Sequence, residues 1–367
     1  MRLIAPDLNA KRARLADWVE LQALTSARRL VSLSSLRSLI RRLSDERISV
    51  TERDPDAEHE AEPEITEGLS DDLQERVAEE LAFRVESVGD AYPFQLITEQ
   101  AGRSQRLELR TTWETVETGQ LIYVFCLLDS AIRDGLVECP RSLRSLADRI
   151  GNMFQICSCL AVAGYTNAEV VSFGFPRATG HGFLPALQAA WARHGSYPIR
   201  KSVPYGWPNR LKDGGIDIIA WRHFADRCAA TLVMFVQVAS GQGWKDKAVR
   251  SDVDELFKWF DGSTPTHFLP AICIPFPLWF EQDEPTQDQT GKKLAFSEGV
   301  RNRFVYHEGK FGIIFDRGRI ARSAAHALTA AAAGALARPV DGIDRVHEVA
   351  SWVVDAMSSL ADARAEA

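Results

Sequence analysis

Few residues in this chain have a type and a spacing that could do chemistry, and most of them fall within one segment. In Asp213-Gly-Gly-Ile-Asp217-Ile-Ile-Ala-Trp221 an acid opens an otherwise apolar run. The next such run, Thr231-Leu-Val-Met-Phe-Val-Gln237-Val-Ala239, carries one amide near its end. Both read as neighbouring buried strands. A carboxylate on a buried strand costs free energy unless it is paired or holds a cation. Asp217 is therefore the first candidate for a metal ligand. Ser240-Gly-Gln-Gly-Trp244-Lys245-Asp-Lys247 follows, with two amines and free N–H groups at a helix start around residues 241–244 that would suit a phosphate. Upstream, Arg200, Lys201, Arg210 and Lys212 stand just before the Asp217 strand and would form a phosphate-facing rim. Ordinary roles exist beside these: an edge-strand acid, a buried amide serving backbone groups, surface lysines, and Trp244 as packing rather than a base-stacking ring. His181, His194 and His223 lie nearby without metal-site spacing, which favours structural roles.

The elements that must position these residues follow from periodicity. Residues 151–165 read as a helix ending in Gly164, residues 169–175 as a β-branched strand, and residues 183–194 as an inserted helix. After the two central strands come an amphipathic helix over 244–259 and a strand over 268–276. A polar loop over 281–293 leads to a strand over 310–316, and helices over 321–336 and 340–361 close the chain. Phe315-Asp316-Arg317-Gly-Arg319 looks functional, but a strand-to-helix turn with a capping Asp explains it equally. Further upstream, residues 9–43 have helical spacing and are the most basic part of the chain, through Lys11, Arg12, Arg14, Arg28, Arg29, Arg37, Arg41 and Arg42. That is a solvated face or a phosphate-contacting one. An acidic, Pro-containing stretch reads as linker or loop up to residue 70. Residues 71–87 and 113–134 read as helices, 94–97 and 106–109 as small strands, and 142–150 as a short helix. The domain reading is an N-terminal helical segment (1–48), an acidic linker (49–70), an accessory region (71–150), a core (151–320) and C-terminal helices (321–367).

From residue 151 to 276 the order is helix, strand, strand, strand, helix, strand, with an insertion after the first strand. This order, with Gly151, Phe154, Gly164 and Tyr165 on the helix, Asp213-Gly-Gly-Ile-Asp217 on the second strand and Gln237 on the third, resembles the PD-(D/E)XK nuclease superfamily and its Mrr-type restriction endonucleases. The resemblance covers about a third of the chain. It implies an α/β fold with a restriction-endonuclease-like core: an αβββαβ mixed central sheet flanked by helices, beside a mainly helical N-terminal region. It also implies Mg²⁺ or Mn²⁺ held by Asp217, by the Gln237 amide oxygen and by the Val238 carbonyl, with Asp213 acting through water. Two positions depart from the pattern. Gln155 stands where the helix usually has Glu, and Ala239 stands where the catalytic Lys belongs. Hydrolysis of a phosphodiester needs charge beside the phosphate and an activated water. Lys247, or else Lys245, is the candidate amine, migrated to the next element.

Composition bounds the partners. The chain has 367 residues, 46% hydrophobic and 25% charged, and a net charge of -7. Free-standing non-specific nucleic-acid binders are usually basic, so contact with DNA would rely on a local positive surface or a partner. Cys126, Cys139, Cys157, Cys159, Cys228 and Cys273 form no CxxC pair and read as reduced thiols. No signal-peptide pattern opens the chain, and the Ala-rich stretch 324–337 is too short to span a bilayer. The expectation is a cytoplasmic protein that binds DNA, without membrane contact, as a possible homo-oligomer or with protein partners of a defence system. The leading function is a metal-dependent DNA endonuclease in prokaryotic defence. The alternatives are a catalytically degenerate nuclease-fold subunit that binds nucleic acid or a partner, and a plain interaction scaffold.

Overall fold

Local turn chemistry breaks the first predicted helix in two. In the computed structural model, β1 (Arg2–Leu3) is followed by α1 (Arg12–Thr25), which stops at Ser26 in an extended conformation. Thr25 turns its hydroxyl onto the Leu21 carbonyl, and Arg29 adopts a left-handed φ of 54°. The chain then enters β2 (Leu30–Ser32) and is helical again at residues 35–36 and 38–39, so the single helix expected over 9–43 is interrupted by a strand, and its last residues, 40–43, lie outside the described residues. The structure describes residues 1–7, 10–36, 38–39, 62–98, 105–110, 119–175, 182–207, 212–226, 231–279, 290–292 and 294–365, with the backbone alone for 62–70, 242 and 362–365.

The expected acidic loop also ends early. α2 (Glu62–Val88) is helical from Glu62 onward, a run of good helix formers with Pro63 in its first turn, where a missing N–H costs nothing. β3 (Phe94–Thr98) and β4 (Gln105–Leu109) pair antiparallel as expected, and β2 joins β4 to complete a three-stranded sheet. α3 (Gly119–Arg133) is buried along most of its length, and β5 (Val137–Glu138) pairs with β1. The N-terminal part is thus helical with two small sheets.

The short helix expected over 142–150 and the helix expected from 151 are one element, α4 (Arg144–Thr166). It does not end at Gly164; Asn167, with a left-handed φ of 51°, caps it. β6 (Glu169–Ser172), α5 (Phe183–His194), β7 (Ile218–Arg222) and β8 (Leu232–Val238) follow in the expected order. The helix expected over 244–259 is split. Residues 242–246 form a 3₁₀ turn, Ala248 leaves the helical region, and only α6 (Val249–Phe257) is α-helical. β9 (Leu269–Cys273) comes next. Then α7 (Phe296–Phe311) appears where no helix was expected, although Phe296, Val300, Phe304 and Phe311 keep one face apolar. β10 (Ile313–Phe315), α8 (Arg317–Ala332) and α9 (Val346–Ala365) complete the chain.

The fold is α/β around a mixed five-stranded sheet ordered β10-β9-β8-β7-β6. The pairs β6–β7 and β7–β8 are antiparallel, while β8–β9 and β9–β10 are parallel. Alternation sorts the central strands by face. Ile218, Ala220, Met234 and Val236 join a core shared with α4 and α8, whereas Ile219, Trp221, Val233 and Phe235 pack with α5 and α6. Gly164 belongs to the first of these faces. A Cβ there would run into the Ser323 carbonyl of α8, so glycine is what allows the two helices to pack so closely.

A buried ionic cluster ties the N-terminal helices to the sheet. Arg317, the first residue of α8, donates from both guanidinium nitrogens to Asp17 of α1 at 2.7 Å. Arg84 of α2 donates to Asp17 at 2.7 Å and to Glu20 at 2.8 Å, and pairs with Glu80. The Tyr92 and Tyr123 hydroxyls also donate to Glu20. Burial pushes the Asp17 carboxyl up, but Arg317 and Arg84 outweigh it and hold the acid below its ordinary value. Asp316 caps α8 by accepting from the Arg319 N–H at 3.1 Å. The Phe315–Arg319 motif is therefore a cap followed by a buried strut. Among the described residues no helix is long and apolar enough to cross a membrane.

Replacing Arg317 by Leu would leave Asp17 short of its main partner. Urea denaturation is expected to show a loss of about 3–5 kcal/mol, and an unchanged midpoint would remove the cluster from its structural role. Gly164→Ala is expected to cost at least about 1–3 kcal/mol by overpacking against α8, read from the same curves.

Candidate functional site

Asp217 sits at the end of β7 nearest the last residues of β8 and β6, and its backbone is more heavily bonded than its side chain. The Asp217 carbonyl accepts from the Phe173 N–H at 2.7 Å, the Gly174 N–H at 2.8 Å and the Gln155 amide at 2.7 Å. Its own N–H donates to the Val236 carbonyl. The carboxylate accepts at Oδ2 from the Val238 N–H at 2.7 Å. A Cβ on Gly174 would lie 2.9 Å from Asp217 Oδ1, so the acid occupies space that only glycine leaves open.

These bonds explain Gln155. An ionised Glu at this position has no proton to give a carbonyl, whereas the Gln amide donates to Asp217 and reaches the Ser172 hydroxyl at 3.3 Å. Gln155 thus fastens α4 to the strand ends. With Asp217 and Val238 it lines a cleft of about 1130 Å³, which Phe175, Ser240, Arg193 and Asp341 also border. Burial raises the Asp217 carboxyl to about 6, the nearby Asp213 adds to the rise, and the Val238 N–H and Lys247 oppose it.

The other candidates divide into those brought here and those held elsewhere. Asp213 closes the turn before β7 by accepting from the Gly215 N–H at 2.9 Å. Lys247 is exposed, and its charge acts on Asp217 and also on Asp252 of α6. Gln237 is only 1% exposed and turns its amide N–H₂ onto Asp252, leaving its own Oε1 buried with no hydrogen-bond partner. It does not line the cleft. Ala239, where the PD-(D/E)XK resemblance would expect a lysine, is packed in the core around Trp244 and Ile272. Lys245 lies on the α7 side: its carbonyl accepts from Lys310, and its charge adds to the burial and the Arg303 charge that depress His307.

Trp244 is 1% exposed among Phe276, His307 and Phe311, which corrects the expectation of a base-stacking ring: tertiary packing has enclosed it. Residues 241–244 begin a five-residue 3₁₀ turn instead of an α-helix, so the expected row of free N–H groups is not formed. On the rim, Lys212 places its amine 5.8 Å from the Phe175 ring, and Phe175 is 54% exposed at the cleft. Arg200 is tied to the Lys258 carbonyl at 2.9 Å, Lys201 is exposed, and Arg210 and His181 lie outside the described residues. His194 is held down at about 4 by burial and by His223, consistent with its stacking on Trp191.

Asp252 is the residue that sequence reasoning missed. An acid in the first turn of an amphipathic helix is ordinary, and only the fold brings it to Gln237. Among the described residues no group of three or more His, Cys, Asp or Glu side chains is gathered to hold a metal ion. Asp217 brings its carboxylate to the cleft, whereas Asp252 and the unpartnered Gln237 Oε1 are not among its lining residues. The chain matches no family model, no curated protein and no solved structure.

The raised Asp217 value makes a signed prediction. Its folded value of about 6 lies above the ordinary 3.8, so ionised Asp217 opposes folding above pH 6, and the penalty fades as pH falls towards 4. Asp217→Asn keeps the bond from Val238. In EDTA it is expected to be more stable than the parent by about 1–3 kcal/mol at pH 7.5 and equal to it near pH 4. Denaturation midpoints across that range would test it, and a gain independent of pH would contradict the assignment.

Proposed function

We propose that this chain is a metal-dependent DNA endonuclease with a restriction-endonuclease-like core, acting in prokaryotic defence with protein partners. The element order of α4, β6, β7, β8, α6 and β9 supports the reading, since it is the order that the PD-(D/E)XK resemblance implies. The observation that carries it is a buried acid lining a wide cleft. Burial raises the Asp217 carboxyl, and the charge of Lys247, in the segment after β8, acts on it in the opposite sense.

Asp217 would hold Mg²⁺ or Mn²⁺ with the Val238 carbonyl and the Gln237 amide oxygen, and the ion would supply a water of lowered pKa and neutralise phosphate charge. Lys247 would stand in for the amine absent at Ala239, offsetting charge on the scissile phosphate and orienting the attacking water. Lys212 and Lys201 would steer the DNA backbone towards the cleft against a net charge of -7.

A second reading has its own support. Gln155 spends its amide on a backbone carbonyl and Gln237 spends its own on Asp252, as in a degenerate subunit that binds nucleic acid or a partner without cutting. Purified protein incubated with plasmid and Mg²⁺ or Mn²⁺ separates the two. Metal-dependent nicking is expected, falling by about 10²–10⁴ in Asp217→Ala and in Lys247→Ala. Intact plasmid even with co-encoded partners would decide for the binding subunit, and nicking by Lys247→Ala at the parent rate would end the role given to that amine.

A further inference from the structure

We propose that the cavity between α2, α7 and the start of α8 binds a small organic anion, an aromatic ring carrying an oxyanion head. The cavity has a volume of about 300 Å³, at the small end of the range for ligand sites. It shares no lining residue with the Asp217 cleft, so it is independent of the nuclease reading.

Its charges call for an anion. Five guanidinium groups border it, those of Arg84, Arg301, Arg317, Arg319 and Arg322, against the one carboxyl of Asp316. Arg84 and Arg317 are spent on Asp17, Glu20 and Glu80. The other three have no carboxylate partner among the described residues. Arg319 donates to the Ile314 carbonyl at 3.0 Å and lies 3.6 Å over the Phe304 ring, and Arg322 donates to the Ser87 carbonyl at 3.1 Å. Neutral acceptors fix these groups in place and leave their charge uncancelled. Asp316 is occupied in capping α8 through the Arg319 N–H. Nor does compensation come from the far side: Arg319 and Arg322 also border a second hollow, of about 550 Å³ beside β10, and none of the residues lining it is acidic. The placement runs against helix electrostatics as well. α8 has no acid in its first turn, yet Arg317 and Arg319 sit there, at the positive end of the dipole. Asp17 accounts for Arg317 and leaves Arg319 and Arg322 unexplained. Breaks of a local rule without a structural compensation concentrate at functional sites.

The rest of the wall suits a ring. Phe83 and Trp279 meet edge to face with centroids 5.6 Å apart, and Val300 and Phe304 line the cavity from α7. Trp279 has already given its indole N–H to Glu80 at 3.2 Å, so what it offers a ligand is ring surface. Guanidinium groups pair readily with the oxygens of a phosphate or carboxylate. A ligand ring would therefore pack on Phe83 and Trp279 with its oxyanion towards Arg301, Arg319 and Arg322.

Isothermal titration of the full chain with naphthyl phosphate tests the site, with naphthol as the ring alone and inorganic phosphate as the head alone. The parent is expected to bind naphthyl phosphate more tightly than either part, with affinity lowered about 10–100-fold in Arg319→Gln and in Arg322→Gln. If either variant does not fold, Arg301→Gln, exposed on α7, carries the comparison. A parent that takes up no naphthyl phosphate, or variants that bind it as the parent does, overturn the proposal. Naphthol binding as tightly as its phosphate would remove the anion and overturn it too. Whether the parent nicks plasmid bears on the Asp217 cleft alone.

Discussion

The Asp17–Arg317 pair is the joint on which the arrangement depends. Asp17 lies on the first helix, and Arg317 begins the helix that follows the last strand of the sheet, so one bridge joins nearly the two ends of the chain. Arg84 closes the cluster from α2, and Glu20 gathers the two tyrosine hydroxyls. Burying so many charges gains little net free energy, because desolvation offsets most of the attraction. What it provides is exclusiveness. Each buried charge has its own partners, and a displaced α1 or α8 would strand at least one of them.

That constraint reaches the site through helix packing. α8, held by Arg317 at its start, lies against α4 at the close approach that Gly164 permits. α4 in turn carries Gln155, whose amide clasps the Asp217 carbonyl together with the Phe173 and Gly174 N–H groups. The acid is fixed through its backbone, and its carboxylate is left with one strong donor, the Val238 N–H. Burial without full neutralisation is what lifts its proton affinity.

Glycines mark where chain and site compete for space. Gly174 makes room for Asp217 Oδ1, and Gly215 makes room for Asp252 and Gln237. The Gly-Gly pair before Asp217 was visible in the sequence as part of a motif. Its physical purpose, clearance for a residue 37 positions further on, was not. Asp252 itself was invisible for the same reason, since nothing in a local window connects it to a strand-end amide.

The sequence by itself determined the strands and their alternation, because apolar period and β-branched composition act over a few residues. It determined the order of elements from α4 to β9, and it singled out Asp217, because a lone acid on an apolar strand conflicts with burial wherever the chain folds. α7 has spaced aromatics on one face, but polar neighbours dilute that local signal. Only the tertiary structure decided the rest: that Trp244 is core, that Lys245 and Lys247 part company, that Gln155 is a backbone clasp, and that Gln237 answers to Asp252. Each of these depends on which groups meet from distant parts of the chain, and hydrogen bonds and charges act over a few ångströms in space, whatever their separation in sequence.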